Sequence, residues 1–243
     1  MLTGAYAAVV TAAVERIVET QQGRILQAEG MVRDTITADG LIYVFGCGHS
    51  HMLAEETFYR AGGLACVSPV FHEALMLHES ASKSSALEKE SGYGEEILRR
   101  YAFAPPDMLI CVSTSGVNGV PVEVAAAARK RGVSVVGIAS EAYLDQIPRN
   151  ALGLHLQQVC DVCVDNAAPL GDACLELEGL PVKMTPVSTV TGAFIINSIL
   201  AEAVQMALEQ GVQPPVYQSG NVPVGIRYNR RLIERYQPRI KCL

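Results

Sequence analysis

The chain has 243 residues, of which 49% are hydrophobic and 18% charged, and it contains no tryptophan. This length suffices for one large hydrophobic core and does not require a second domain. A formal net charge of −6 at pH 7 argues against nucleic acid or an anionic membrane as the main partner. Seven cysteines are too few and too scattered for a disulfide scaffold, which favours reduced thiols and a cytoplasmic protein.

The N-terminal region, residues 1–39, is predicted to be helical. In the opening stretch "MLTGAYAAVVTAAVERI", Val10, Val14, Ile17 and Val18 recur at helical spacing. No Lys or Arg precedes the apolar residues, as a secretory signal would require. We therefore interpret this stretch as an amphipathic helix whose apolar stripe needs a surface that buries it.

Apolar strand candidates alternate with helix candidates after this region. The predicted strands are Leu41–Phe45, Leu64–Ser68, Asp107–Val112, Val133–Ala139 and Val159–Val164. The predicted helices are Met52–Ala61, Pro121–Arg131 and Val190–Glu209. Short, nearly continuous apolar strands separated by helices are typical of a parallel sheet that is covered on both faces. The sequence thus predicts a three-layer α/β/α sandwich with a mainly parallel, doubly wound sheet.

Three stretches interrupt this alternation. Residues 69–105 carry the polar run "HESASKSSALEKES" and are predicted to form a long excursion. Residues 166–186 include "CLELEGLPVKM", which is compatible with a small hairpin. The tail, 211–243, is first rich in Pro and Gly and then basic, with six Lys and Arg residues between Arg227 and Lys241. We expect a single domain over residues 1–243, with an N-terminal helical region, 1–39, and this basic tail.

The first predicted strand ends in the turn "GCGHSH", residues 46–51. A dinucleotide fingerprint would have a third glycine in place of His51 and an acidic residue at the end of the next strand, which reads "ACVSPV". No Lys follows at the spacing of a nucleotide-triphosphate loop either. What remains is Ser50 at a helix start, where a hydroxyl and free N–H groups can bind an anion without a cationic side chain. A serine that only caps the helix would look the same in the sequence.

A second turn of this kind follows the third predicted strand. The stretch "DMLICVSTSGVNGVP" ends its apolar run in Ser113, Thr114, Ser115 and Gly116, with Asn118 available as a helix cap. Three hydroxyls between a strand and a helix offer donors to one oxyanion. In a parallel sheet both turns lie at the carboxyl edge of the strands, where α/β proteins bind ligands. Two hydroxyl-rich helix starts on one edge favour a shared anion site over two separate caps.

The two turns resemble those of a known family. "GCGHS" and "STSGVN", at this spacing, are similar to the two phosphosugar-binding turns of the sugar isomerase (SIS) domain family. That family includes phosphoheptose isomerase, the isomerase half of glucosamine-6-phosphate synthase and the N-acetylmuramic acid 6-phosphate etherases. The stretches "GHSHMLAEETFYRAGGL", "GDACLELEGLP", "SGNVPVG" and "LIERYQPRIKCL" resemble small stand-alone SIS proteins that are often labelled phosphoheptose isomerases. The resemblance covers nearly the whole chain and implies a SIS-type, flavodoxin-like fold.

The resemblance also implies a phosphosugar site at the two turns. The expected ligand-binding residues are Gly48, His49, Ser50, Ser113, Thr114, Ser115, Gly116, Asn118, Ser188 and Thr189. Hydroxyls and backbone N–H groups of the turns would hold the phosphate, and the last two residues stand where the family often contacts the sugar. The expected partner is a small-molecule sugar phosphate, with no nucleic acid, no membrane, no cofactor and no metal.

An aldose–ketose isomerase needs a base that moves a proton between adjacent carbons through an enediol, and a group that stabilises the developing oxyanion. The candidates are Glu55, Glu56, His72 and His78. Glu55 and Glu56 lie on successive helix faces, so at most one of them can face the ligand. Phosphoheptose isomerases carry a catalytic Glu in a similar "AEE" sequence, but alignment of the turns puts this pair about one turn earlier, which leaves the base open. His72 and His78 are separated by a spacing that matches no zinc site.

Three functions stay open at this point. The leading one is a phosphosugar aldose–ketose isomerase. A lyase or etherase that acts on an amino-sugar phosphate would use the same binding site for different chemistry. The third is a non-catalytic, phosphosugar-sensing module: SIS domains serve in transcription factors, whereas this chain is acidic and shows no helix-turn-helix extension.

The chain is expected to form a homodimer or a higher homo-oligomer. Residues 190–209, "VTGAFIINSILAEAVQMALE", are apolar around most of the helix circumference, which is more than one sheet face can bury. The N-terminal helix adds an apolar stripe of its own. Packing both helices across a two-fold axis, the commonest oligomer symmetry, would cover these surfaces, and SIS relatives commonly assemble in this way.

Overall fold

The computed structural model of the protein describes residues 1–144 and 146–243. A five-stranded sheet lies at its centre. The strands are β1 Ile42–Gly46, β2 Val67–Val70, β3 Met108–Val112, β4 Ser134–Ala139 and β5 Val162–Asp165. All neighbours pair in parallel, in the order β2-β1-β3-β4-β5. This is a doubly wound order of the flavodoxin type, and it confirms the predicted fold class.

Helices pack around this sheet in two groups. They are α1 Leu2–Thr20, α2 Gln22–Thr37, α3 Met52–Thr57, α4 Leu77–Leu87, α5 Tyr93–Leu98, α6 Gly119–Lys130, α7 Leu156–Val159, α8 Ser188–Glu209 and α9 Pro223–Tyr236. α2 and α3 both pack against α8, whereas α5 and α7 both pack against α6. Each group also contacts the strands, so the sheet is the middle layer of the predicted sandwich.

The central strands are apolar at every position because helices cover both of their faces. Every residue of β1, "IYVFG", and of β3, "MLICV", is buried. A strand with one wet face would alternate polar and apolar residues instead. Full burial of a side chain such as Ile42 or Ile110 stabilises the fold by about 1.5–3 kcal/mol.

The second strand begins later than predicted, at Val67 instead of Leu64. Leu64 and Ala65 pair with the C-terminal tail rather than with β1. Leu64 forms an antiparallel bridge with Val216, and the Ala65 N–H donates to the Pro215 carbonyl at 2.7 Å. A long-range contact of this kind cannot be inferred from the apolar run itself.

The helix after β1 is shorter than predicted and ends at Thr57 instead of Ala61. Phe58 is extended and Tyr59 has a left-handed φ of 44°, which stops the helix. The fifth strand likewise begins at Val162, because the preceding residues form α7, which His155 caps.

The interrupting stretches contain regular structure. Residues 69–105 include α4, which is kinked at Ser80, and α5. Residues 166–186 form the antiparallel hairpin of β6 Ala173–Leu175 and β7 Met184–Pro186. By length and composition alone, α8 could cross a membrane, but its residues Thr191, Ile195, Ile199 and Ala203 are buried in the protein, as in a core helix.

Candidate functional site

A cavity of about 300 Å³ lies at the carboxyl edge of the sheet, where residues from the ends of β1 and β3 line it. In this strand order β2 lies on one side of β1, whereas β3, β4 and β5 follow on the other side. The helix after β1, α3, packs with α8, whereas the helix after β3, α6, packs with α5 and α7. The two helices therefore leave the edge in different directions and open a crevice, which is the usual ligand site of such sheets.

The first wall of the cavity is the turn after β1, and it depends on a glycine. Gly46 ends β1, and residues 48–51 form a 3₁₀ turn that folds back over it. A Cβ at residue 46 would lie 2.6 Å from the carbonyl oxygen of Ser50 and 2.8 Å from its Cβ. Glycine thus allows the close approach that brings Ser50 to the cavity.

We expect Gly46→Ala to lower the free energy of unfolding by about 1–3 kcal/mol, because the added methyl overpacks the turn. It should also weaken anion binding, since Ser50 must move. Thermal unfolding followed by circular dichroism measures the first effect. Gly220→Ala is the matched control, because nothing lies within 4 Å of a Cβ there. An unfolding midpoint equal to that of the wild type would contradict the assigned contact.

The second wall is the turn after β3, which His155 holds from behind. The buried Ser113 accepts a hydrogen bond on Oγ from the Gly116 N–H at 3.2 Å. Gly116 has a φ of 65°, and a Cβ there would clash with the ring of His155. The Gln157 N–H donates to Nδ1 of His155, so Nε2 carries the hydrogen and donates to the Ser115 carbonyl at 3.1 Å. The turn is therefore held in one conformation before any ligand binds.

The cavity offers neutral donors at both turns. Among the residues described, the backbone N–H groups of Thr114 and Ser115 donate to no protein acceptor, and α6 begins directly after Asn118. No Lys or Arg lines the cavity in the described part of the chain. An anion in this place would be held by hydroxyls, N–H groups and the start of α6, which suffices for a phosphate.

The structure brings most of the predicted ligand residues together. Those that line the cavity are Gly48, His49, Ser50, Ser113, Thr114, Ser115, Asn118, Ser188 and Thr189. Gly116 is not part of the lining but shapes the turn. The Ser188 hydroxyl donates to the Asp172 carboxylate at 2.6 Å, and the same carboxylate accepts from the N–H groups of Val187 and Ser188. Asp172 thus caps α8 from the hairpin side.

The four predicted catalytic residues lie elsewhere within the described chain. Glu55 and His78 line a neighbouring cavity. Glu56 pairs with Arg60 and accepts from Asn197. Leu53 of α3 lines the first cavity, and Glu55, two residues further on, is rotated away from it by about 200°. Glu56, three residues further on, stays near the Leu53 face but is held by Arg60 and Asn197 instead. Their catalytic roles stay predictions.

His72 is buried beside Tyr93 and outside the cavity. Both of its ring nitrogens lack a hydrogen-bond partner within the residues described. Burial lowers the pKa of His72, and the positive charge of Arg100 adds to this effect. The ring of His72 does not line the cavity and therefore does not reach a ligand there.

Glu88 is a cavity residue that the sequence did not single out. It follows α4 directly, and its backbone carbonyl accepts from the Val120 N–H at 3.0 Å, which ties it to the start of α6. Its Oε2 lies 3.8 Å from the position that a Cβ of Gly48 would take, so the carboxylate faces the first turn. Burial raises the pKa of Glu88, against the smaller opposing effect of Lys89. A carboxylate with these surroundings has the properties of a general base.

The sequence signal for Glu88 was weak. Ser84 and Ser85 of α4 precede Glu88 by four and three residues, so the three side chains share one side, and all line the cavity. In the sequence they belong to a polar run that looks the same as a solvated helix face. Tyr143, which lines the cavity from the turn after β4, also lies in a loop without a motif. Tertiary structure, and not local pattern, brings both residues to the site.

Comparison with known proteins gives the family. Residues 5–140, more than half of the chain, match the family model described as SIS domain. The UPF0309 protein Lm4b_02611 of Listeria monocytogenes is 42% identical over 230 residues, which cover 94% of this chain and 93% of that protein. The UPF0309 protein BH0227 of Halalkalibacterium halodurans is 42% identical over 228 residues, with 93% and 91% covered.

Solved structures share the fold. The phosphoheptose isomerase from Francisella tularensis superimposes with a TM-score of 0.52 at 13% identity, over 84% of this chain and 96% of that one. The phosphoheptose isomerase GmhA from Neisseria gonorrhoeae gives 0.51 at 16% identity, over 84% and 97%. With the two turns at the edge of a doubly wound sheet and a family model that matches both of them, the chain belongs to the SIS domain family.

Proposed function

We propose that this protein binds a sugar phosphate in the cavity and interconverts its aldose and ketose forms through an enediol. The observation that carries this proposal is the joint placement of two neutral anion-binding turns and the half-buried carboxylate of Glu88 around one cavity. The family, the SIS domain, supports the phosphosugar as ligand. The reaction is consistent with the structural neighbours named as phosphoheptose isomerases.

The two turns hold the phosphate in this proposal. Ser50, Ser113, Thr114 and Ser115 donate from their hydroxyls, and the N–H groups of the second turn add further donors. The phosphate is remote from the reacting carbons, so its binding energy fixes their position against the catalytic groups. Ser188 and Thr189, across the cavity, contact the sugar.

Glu88 acts as the base. It removes the proton from C2 of the open aldose, the electrons of that C–H bond form the C1–C2 double bond, and the C1 carbonyl pair moves onto O1. The resulting enediolate is protonated on O1 while O2 loses its proton and becomes the carbonyl oxygen. Glu88 returns its proton to C1, which yields the ketose and restores the carboxylate. The cycle needs no external oxidant or reductant.

Binding identifies the sugar. A ligand at 100 times its dissociation constant stabilises the folded protein by about 2.7 kcal/mol, which corresponds to an increase in melting temperature of roughly 5–10 °C for a chain of this size. Screening a library of hexose and heptose phosphates by thermal shift selects the ligand. Nuclear magnetic resonance then monitors whether the protein converts that ligand, which tests the proposed isomerase activity. A ligand that binds and is never converted would refute the enzymatic part of the proposal.

A non-catalytic phosphosugar-sensing module is the second candidate. It is favoured by the position of Glu55, Glu56, His72 and His78, which the described structure places outside the cavity. A wild-type protein of this kind would bind the selected sugar phosphate and convert none of it. Its Glu88→Gln variant would bind with the same affinity. Release of lactate or ammonia in a coupled assay would instead identify the lyase or etherase reaction on an amino-sugar phosphate.

The whole chain is proposed to act as one cytoplasmic domain in a homodimer that forms through α8. Exposed apolar residues on this helix recur at helical spacing: Val190, Ala201 and Leu208. They leave an apolar stripe uncovered by the residues described, although the opposite side of α8 is buried. A second copy that presents the same stripe would bury both.

Sedimentation velocity at micromolar concentration is expected to show a dimer, and Ala201→Glu should shift it to the monomer because two carboxylates would meet at the axis. The same substitution at the exposed Ala81 of α4 is the control. A wild-type protein that sediments as a monomer would refute this assembly.

A further inference from the structure

The hydroxyl of Tyr143 has an unusual hydrogen-bond arrangement. Its oxygen accepts from the backbone N–H of Gly171 at 2.8 Å, and the side chain lines the cavity. Among the residues described, no acceptor takes the hydrogen of this hydroxyl. Since the N–H already occupies the oxygen, Tyr143 is prepared to donate to a ligand in the cavity.

The position of this hydroxyl is fixed by the turn that carries it. Ser140 follows β4 and is buried; its Oγ donates to the Ala168 carbonyl at 2.6 Å and accepts from the Ala142 N–H at 3.2 Å. The Ser140 N–H donates to the Thr114 carbonyl at 2.9 Å. The turn of Tyr143 is therefore joined directly to the second phosphate-binding turn, and a ligand held there has the phenol in a set position.

The surroundings keep the phenol protonated. Burial raises the pKa of Tyr143, and the negative charge of Asp172 raises it further, against the opposing effect of the Gly171 N–H. The neighbouring Ser188 differs in this respect, because its hydroxyl hydrogen is already donated to Asp172. Tyr143 is thus a cavity donor near Asp172, the carboxylate that holds Ser188, and Ser188 is one of the two residues assigned to the sugar.

We propose that Tyr143 is the catalytic hydrogen-bond donor that stabilises the enediolate oxygen while Glu88 holds the transferred proton. This inference rests on the proposed isomerase function. The negative charge that develops on O1 makes this oxygen a stronger acceptor than the carbonyl of the substrate, so the hydrogen bond strengthens as the reaction proceeds. Tyr143 keeps its proton throughout and acts as an electrostatic group, without a role as acid or base.

Tyr143→Phe tests this role with little change in shape. The first readout is the rate at which solvent deuterium enters the selected sugar phosphate. Loss of the Tyr143 hydroxyl as a hydrogen-bond donor is expected to reduce kcat about 10²–10³-fold. The second is the ratio of affinities for a hydroxamate analogue of the enediolate and for the corresponding alditol phosphate. This ratio should fall about tenfold or more, with alditol phosphate binding within about twofold of the wild type. Because it is a ratio, the fraction of folded protein does not affect it.

Tyr59→Phe is the control, because Tyr59 is exposed and is not part of the cavity lining. An active wild type whose Tyr143→Phe variant keeps both kcat and the affinity ratio would overturn this inference alone. Equal loss of affinity for both analogues would also overturn it, since that result describes ground-state binding. A wild type that binds the sugar phosphate and exchanges no deuterium would overturn the isomerase and this inference together.

Discussion

Glu88→Gln is expected to reduce the rate of isomerisation about 10²–10⁴-fold, the usual contribution of a positioned general base. The amide keeps the size of the side chain but cannot accept the C2 proton. Affinity for the sugar phosphate should change little, because in the proposed complex the phosphate binds to the hydroxyls and N–H groups of the two turns that line the cavity. Steady-state kinetics and thermal shifts on the same preparation separate the two effects.

The same group predicts a pH dependence. A base works in its deprotonated form, and burial raises the pKa of Glu88 above its usual 4.5. The rate kcat/KM should therefore fall as the pH is lowered through this raised pKa, and the fall should begin at a higher pH than an exposed carboxylate would give. The acidic limb should be missing from the residual activity of Glu88→Gln.

Comparison with other carboxylates makes the assignment specific. Glu90→Gln changes an exposed residue two positions along the same segment and should leave kcat unaltered. Glu55→Gln and Glu56→Gln test the residues that the sequence predicted. If one of these two variants loses activity while Glu88→Gln keeps it, the base lies on α3 and the assignment of Glu88 is wrong.

The second large effect is expected at the second turn. Ser113→Ala and Ser115→Ala should each weaken sugar phosphate binding by about 1.5–3 kcal/mol, since each removes a hydrogen bond to a charged group. This corresponds to a dissociation constant roughly 10- to 150-fold higher. Isothermal titration calorimetry with the selected sugar phosphate gives these values directly.

Both serines also stabilise the turn itself, so the experiment must separate a loss of binding from a loss of stability. Ser113 Oγ accepts from the Gly116 N–H and Ser115 Oγ from the Val117 N–H, so a modest loss of stability accompanies each substitution. Melting temperatures of the free variants measure that loss separately. Ser82→Ala, at an exposed position on α4, should alter neither quantity. A double variant that binds with unchanged affinity would show that these hydroxyls serve the fold alone.

The fold was predictable because its strands are buried on both faces. The apolar runs of β1, β3 and β4 have no polar alternation, and each is followed by a glycine or hydroxyl and then a helix, which indicates a doubly wound sheet. The predicted limits of β2 and α3 were wrong because the features that set them have no periodic signal in the sequence. An isolated bridge between the tail and Leu64 and the left-handed Tyr59 depend on a distant contact and on a single residue.

The candidate site was predictable only in part, because some of its residues are placed by local sequence and others by tertiary contacts. The meeting of the two turns at one cavity was predictable because they follow strands directly, and parallel strands bring their carboxyl ends to one edge. The positions of Glu88 and Tyr143 were not predictable. Glu88 belongs to the excursion of residues 69–105 and Tyr143 to the turn after β4, and the path of both segments depends on tertiary packing. Glu88 is placed by its hydrogen bond to the start of α6, and Tyr143 by the buried Ser140. Neither contact has a signature in the local sequence.

Incorporation of deuterium from solvent into the sugar phosphate that the thermal screen selects is the most direct test of the proposed reaction. Mass spectrometry and nuclear magnetic resonance locate the label. The enediol mechanism with Glu88 as its base predicts deuterium at C1 or C2 with the wild-type protein and a rate lower by about 10²–10⁴-fold with Glu88→Gln. A sugar phosphate that binds to the wild-type cavity and gains no deuterium at either carbon would contradict it.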